Sequence, residues 1–303
     1  MQDDERSAAA GPSRRAMLAA CGLIAVGGLS ACGEREAEKA DPEVPAGPPE
    51  GSLEWAIAGA WRAADRGRDS WRHPLETLRF FGLQPSMTVV DFWPGSGWYT
   101  EILAPYLAEG DGEYYAVGFS NGPGADPAQA ALNANFEQRF GSDRRLYGEV
   151  KFSQFGATTG PVAPAGTADL VLFMRCIHSW MAAGTAEKAF ADAFAALRPR
   201  GILGIEQHRL GPDQDQDPAA ADGYVQEAFV KQLAAEAGFI FEAASEINAN
   251  PDDTKDHPFG VETLPPRLLT APLGSPPDPT FDSAPYREIG ESDRMTLKFR
   301  KPE

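Results

Sequence analysis

Apolar positions along most of the chain fall into short runs that alternate between a continuous or two-residue pattern and a period near 3.6. Thr88-Val89-Val90-Asp91-Phe92 is β-branched and apolar and closes on a carboxylate, the pattern of a parallel strand buried on both faces. Pro94-Gly95-Ser96-Gly97 reads as a tight turn. Over residues 98–107 the period becomes helical, with Ile102, Leu103 and Leu107 on one side and Pro105 expected to kink or shorten the helix. Further strands are predicted at 113–119, 146–155, 168–180, 202–207, 239–247 and 295–299, and helices at 129–140, 185–197 and 225–237. The helix over 185–197 should end at Arg198-Pro199-Arg200-Gly201, with Gly201 left-handed. Alternating strands and helices of this kind make an α/β fold.

Two stretches frame this body. Ahead of it, Leu53, Ile57 and Trp61 stripe a helix over 53–64 that Ser52 can cap. A polar turn (66–74) then leads through Pro74 into a helix over 75–81, ended by Gly82. Near the C-terminus, residues 248–285 are rich in Pro and Asp and lack periodicity. A loop that long is functional or disordered, and here it is expected to fold back as a lid. The acidic stretch 211–222 reads as a flexible loop and lacks the closing Glu of a calcium-binding EF-hand.

Strand, glycine turn and helix open a nucleotide-binding unit: glycines let a ligand approach the backbone, and the helix N-terminus offers it N–H groups. Asp91, Gly95 and Gly97 resemble the first motif of class I S-adenosylmethionine-dependent methyltransferases. Trp93 stands where that family usually has its first glycine. More narrowly, the run Trp-Pro-Gly-Ser-Gly-Trp-Tyr-Thr-Glu-Ile-Leu-Ala-Pro-Tyr from Trp93 is similar to a family of predicted exported methyltransferases. The resemblance follows the order of elements over 53–302 and is specific at the first loop and at the fourth and fifth strands. It implies a Rossmann-like class I methyltransferase fold: a seven-stranded, mostly parallel sheet with helices on both faces, the last two strands forming an antiparallel hairpin.

The same resemblance implies S-adenosylmethionine as cofactor, held by Asp91, Trp93, Gly95, Ser96, Gly97 and Tyr99 and by Arg175 at the end of the fourth strand. The family usually carries an acid at the end of the second strand for the ribose hydroxyls. Here Asn121 is the candidate, and Asp126 reaches in only if the loop at 122–124 doubles back.

Ligands of open α/β sheets bind beyond the carboxyl ends of the strands at the switch point, where Arg175, His178 and Trp180 fall. His178 reads either as a general base or acceptor-holding group, or as a neutral histidine bonded to a carbonyl. Glu206 and His208, read as alternating along the fifth strand, are further catalytic candidates, only one of which is expected to face the crevice. Asp69, Arg72 and His73 are either rim residues or a solvated turn, and Cys176 reads as a small buried hydrophobe. Trp93, Trp98, Tyr99 and Trp180 suit a planar or apolar small molecule, or a packed core.

Methyl transfer is a direct displacement that needs mostly positioning, so the lack of a His-Glu-x-x-His metal motif does not count against it. A NAD-dependent dehydrogenase is the weaker reading, since the Asp before the loop and the seventh strand argue for the methyltransferase arrangement. The alternative is a catalytically inactive exported binding protein that keeps the fold.

Composition adds context. The chain has 303 residues, 43% of them hydrophobic, and a net charge of -17. That bounds one large domain with a tail, or two small ones, and argues against a nucleic-acid partner. Of three cysteines, Cys21 and Cys32 lie in the N-terminal region, so the body offers neither an internal disulfide nor a Cys-rich metal site. Ser13-Arg14-Arg15 followed by a short apolar run at 18–29 resembles a twin-arginine signal, and Leu29-Ser30-Ala31-Cys32 resembles a lipobox. The expected organisation is a signal over 1–32, a disordered tether over 33–52 and a methyltransferase-like domain over 53–303. Cys32 would be lipidated, and the protein would be exported to the periplasm and tethered to the outer membrane.

Overall fold

β1 (Thr88–Phe92) runs through the middle of the sheet and is buried from Val89 onward, as its unbroken apolar run requires. The computed structural model describes residues 47–122 and 124–303, so the export signal, Cys32 and most of the tether lie outside the described residues. β1 pairs in parallel with β2 (Glu113–Phe119) on one side and with β4 (Ala168–Met174) on the other. β3 (Val150–Phe155) continues the parallel sheet beyond β2, and β5 (Leu197–Leu210) continues it beyond β4. A two-residue strand, β6 (Val225–Gln226), adds to the end of β5. β7 (Ile240–Ser245) and β8 (Arg294–Arg300) complete the sheet as an antiparallel pair, with β8 inserted against β5. The order β3-β2-β1-β4-β5-β8-β7 is the Rossmann-like class I methyltransferase arrangement, with β6 as an addition.

Side chains alternate across the sheet and feed two cores. Val90, Phe92, Val171 and Phe173 pack with Phe190 of α8 (Ala186–Ala196) and Val230 and Leu233 of α9 (Glu227–Glu236). On the opposite face, Val89, Leu170 and Leu172 pack with Leu78 and Phe81 of α3 (Pro74–Phe81) and with Ile102 and Leu103 of α4 (Thr100–Glu109). Leu53 of α1 (Leu53–Ala58) and Phe136 and Phe140 of α5 (Pro127–Ser142) join that second core. Pro105 lies inside α4 without ending it.

Several boundaries differ from the sequence reading. Residues 146–147 belong to α6 (Arg144–Tyr147), which the Asp143 carboxylate caps through the Leu146 N–H at 3.2 Å. The fourth strand stops at Met174: Arg175 turns with φ +62°, its N–H held by the Glu206 carbonyl at 2.6 Å, and α7 (Ile177–Ala182) follows. An apolar run such as 168–180 cannot by itself separate a buried strand from a buried helix. At the corner before the fifth strand it is Arg200, not Gly201, that takes the left-handed conformation, at φ +67°. Its N–H donates to the Lys301 carbonyl at 3.1 Å, which ties the corner to the C-terminal segment.

Candidate functional site: a crevice beyond the carboxyl ends of β1 and β4

The loops after β1, β4 and β5, the polar turn of α2 (Asp69–Arg72) and the segment around 257–273 enclose a crevice of about 1220 Å³. The expected lid therefore does lie over the carboxyl ends of the strands.

Asp91 lines this crevice yet is almost entirely buried. Its Oδ2 accepts from the Tyr114 hydroxyl at 2.8 Å. Tyr114 has thereby spent its proton, so the Thr100 hydroxyl, 2.9 Å away, must donate to it. Asp91 Oδ1 has no hydrogen-bond partner among the described residues. Burial pushes the carboxyl up to about 7, against the Tyr114 hydrogen bond and the charge of Arg175. A ligand ammonium binds the ionised form, so below about pH 7 binding must first release a proton. Affinity for S-adenosylhomocysteine is therefore expected to rise about tenfold per pH unit up to about 7 and then level off, measured by calorimetry in buffers of different ionisation enthalpy.

The loop after β1 presents its backbone to the crevice. No partner for the N–H groups of Gly95, Ser96 and Trp98 occurs among the described residues, whereas the Gly97 N–H donates to the Pro94 carbonyl at 2.9 Å. The two glycines serve different ends. At Gly97 (φ +93°) a Cβ would meet the Phe140 ring at 2.3 Å, while at Gly95 (φ +62°) it would meet nothing within 4 Å. Gly97→Ala is expected to lose about 2–4 kcal/mol of stability from overpacking and backbone strain. Gly95→Ala should lose only about 1 kcal/mol but place a methyl group where a ligand would lie. Denaturant unfolding combined with ligand titration separates the two effects.

Trp93 also has positive φ, +50°. Its indole packs 4.6 Å from the Phe119 ring and 5.6 Å from Trp180, across the carboxyl end of β2, and its Nε1–H is buried without a partner among the described residues. Trp98 is gripped between the guanidinium groups of Arg62 at 5.1 Å and Arg72 at 4.8 Å.

Beneath the crevice lies a buried ion cluster. Arg72 Nε contacts both oxygens of Glu291 at 2.9 Å. Arg294 reaches Glu291 at 2.7 Å and Glu206 at 3.2 Å, and Arg175 reaches Glu206 at 3.4 Å. The Tyr99 hydroxyl donates to the other oxygen of Glu206 at 3.0 Å. Glu206 is fully buried and does not line the crevice, whereas His208 does. Residues two apart on a strand share a face, so depth, and not a change of face, separates these two. Glu206 holds guanidiniums in place and has no access to a substrate.

His178 and His208 are neutral. Burial pushes His178 down to about 4, partly offset by Gln207. Burial, then His178 and the arginines, holds His208 well below the ordinary range. The Gln207 amide is oriented by the chain: its Oε1 accepts from the Ile177 N–H at 3.1 Å and its Nε2 donates to the Gly223 carbonyl at 3.1 Å. Nε2 lies 3.2 Å from His178 Nδ1, so Nδ1 must be the acceptor and Nε2 of the imidazole carries the hydrogen. This corrects the general-base expectation: His178 offers an N–H. His208 Nδ1 lies 2.6 Å from the Ser292 hydroxyl.

Of the residues singled out from sequence, Asp91, Trp93, Gly95, Ser96, Tyr99, Arg175, His178, His208 and Arg72 line the crevice. Gly97 sits behind the loop against Phe140. Asn121 is a correction: it is exposed, its side-chain oxygen accepts from Asn133 at 2.9 Å, and it does not face the crevice. Asn133 also clamps both backbone groups of Phe119, which leaves the strand end no freedom to bring Asn121 round. Asp126 caps α5 through the Ala128 N–H. Asp69 pairs with Arg62, and His73 contacts Asn248. Sequence reasoning missed Arg68, Glu291 and Ser292. The charge density of the polar turn pointed near Arg68, but nothing local marked the other two.

No protein-family profile matches the chain, and no curated protein matches it by sequence. Among solved structures it is similar to a SAM-dependent methyltransferase from Aquifex aeolicus, 19% identical, covering 63% of this chain and 93% of that one with a TM-score of 0.47. It is similar to an S-adenosylmethionine-dependent methyltransferase from Mesorhizobium loti, 14% identical, covering 81% and 100% with a TM-score of 0.44. It is also similar to phosphoethanolamine N-methyltransferase 2 from Haemonchus contortus, in complex with S-adenosyl-L-methionine, 15% identical, covering 77% and 53% with a TM-score of 0.47. Likenesses this distant transfer no residue role to this chain, whose function is read from the geometry of the crevice.

Proposed function

We propose that the protein is an S-adenosylmethionine-dependent methyltransferase acting on a small-molecule acceptor. One observation carries the reading: Asp91, which lines the crevice, has a buried Oδ1 with no hydrogen-bond partner among the described residues, and it lies beside a loop whose N–H groups at Gly95, Ser96 and Trp98 likewise have none. An amino acid moiety needs an acceptor for its ammonium and donors for its carboxylate, and both are present within one strand-to-helix turn. The nucleoside half meets the aromatic wall of Trp93 and Phe119 in place of a carboxylate. Bound there, the cofactor supplies an activated methyl group. The chain's own residues orient the acceptor through the His178 N–H, and the segment 257–273 excludes water.

A second reading, a binding protein of the same fold without transfer, is favoured by the buried, unpartnered indole N–H of Trp93 at the place where the family has a glycine. Incubation with S-adenosylmethionine and a mixture of small-molecule acceptors decides between them. S-adenosylhomocysteine formed in excess over protein supports transfer; binding without product supports the second reading.

The export reading rests on residues 13–32 alone. Among the described residues no helix is long and apolar enough to cross a membrane; the proposed link to one is a lipid at Cys32. Cys32→Ser is expected to release the protein from the membrane fraction, and retention there would contradict a lipid anchor.

A further inference from the structure

We infer that the acceptor is an anion whose carboxylate or phosphate group is taken by Arg72 and Arg175, with His178 and His208 beside it; this rests on the methyltransferase reading. In the cluster beneath the crevice three guanidiniums, Arg72, Arg175 and Arg294, share two carboxylates, Glu206 and Glu291. The sum is one uncompensated positive charge in a nearly buried place, within a chain whose net charge is -17. An unpaired buried charge is costly unless a counter-charge arrives.

The excess opens to one side only. Arg72 and Arg175 line the crevice and Arg294 does not. Arg72 spends its Nε on Glu291, and its two terminal nitrogens have no hydrogen-bond partner among the described residues. A guanidinium fork presented in this way matches the geometry of an oxyanion.

The other charges on the crevice do not cancel this excess. Arg68 is paired with Asp65, and Glu262 with Arg267 at 2.9 Å on the lid. Asp222, which accepts from the Tyr224 N–H at 3.0 Å, and Asp91, which belongs to the cofactor half, are the remaining carboxylates, and neither forms an ion pair with Arg72 or Arg175 among the described residues. His178 contributes an N–H because Gln207 occupies its Nδ1. An anionic acceptor would also be drawn toward a cofactor that carries a positive sulfonium.

The test is calorimetric titration of the full chain with benzoate and with its neutral counterpart benzamide, each with and without saturating S-adenosylhomocysteine. Benzoate should bind the S-adenosylhomocysteine-saturated protein at least about tenfold more tightly than benzamide, the usual scale of a charge-assisted hydrogen bond. Arg175→Gln should remove the difference. Arg72→Lys, which keeps the charge but loses the fork, should shrink it, and thermal unfolding of both variants confirms that they are folded. Equal binding of the two probes overturns the inference. Benzoate binding that S-adenosylhomocysteine abolishes assigns the arginines to the cofactor's own carboxylate and likewise overturns it. If S-adenosylhomocysteine fails to bind while the benzoate preference persists, the methyltransferase reading falls and the anion site stands.

Discussion

Asp91→Asn is expected to weaken S-adenosylhomocysteine binding by about 100-fold while leaving the protein at least as stable as before. The substitution keeps the shape of the side chain, and the asparagine oxygen can still accept from Tyr114. What changes is the atom at the place of Oδ1, now partnerless. An acceptor becomes an N–H₂ donor facing a ligand ammonium, so an attraction between charges turns into a clash of donors. Stability should not suffer, because burial already opposes ionisation of this carboxyl, lifting it to about 7. The sign follows from that lift. Between about pH 4 and 7 the folded carboxyl keeps its proton while the unfolded one loses it, so its contribution to stability declines as pH rises through that window. Asn removes the penalty. A variant that binds as tightly as the native chain would remove Asp91 from the site.

Arg294→Met is expected to cost about 3–5 kcal/mol, the usual effect of breaking a buried ion pair from one side. Arg294 is itself buried, and it bridges Glu206 at 3.2 Å and Glu291 at 2.7 Å, both buried. Methionine replaces the volume but leaves two carboxylates with only Arg175 and Arg72 between them. Burial works to raise Glu291, but Arg72, Arg294 and Arg175 together hold it below its ordinary value. Its contribution to stability is therefore present above about pH 4.5 and is lost as pH falls below it. Without Arg294 the Glu291 carboxylate should protonate more readily, so the deficit should be largest near neutral pH and shrink as pH falls toward about 4.5. Urea unfolding at several pH values measures this. A loss under about 1 kcal/mol would mean that water reaches the cluster.

Much of this fold was legible because its signals are local. The run from Thr88 to Phe92 lacks the regular polar alternation that a solvated face would need, and Gly95 and Gly97 mark a backbone that side chains would obstruct. The strand order followed from the alternation of elements and from the resemblance at the first loop. What stayed hidden depends on contacts between distant segments. Glu291 precedes the last strand and Arg294 opens it, in an ordinary polar stretch, and only the pairing of β8 with β5 brings them under Arg175 and Glu206. Asn121 looked available because a sequence does not show that Asn133 holds the end of β2. The role of His178 turned on Gln207, whose amide is oriented by Ile177 and Gly223. Gly201 was the natural choice for a left-handed corner, and Arg200 took it because the C-terminal segment gives its N–H a partner.

The central claim is tested most directly by calorimetric titration of the purified protein with S-adenosylmethionine and with S-adenosylhomocysteine. Binding of both at micromolar concentrations, about -8 kcal/mol, with loss in Asp91→Asn, is the predicted result. No binding of either ligand by a demonstrably folded protein would contradict it and leave the crevice and its long lid to another occupant.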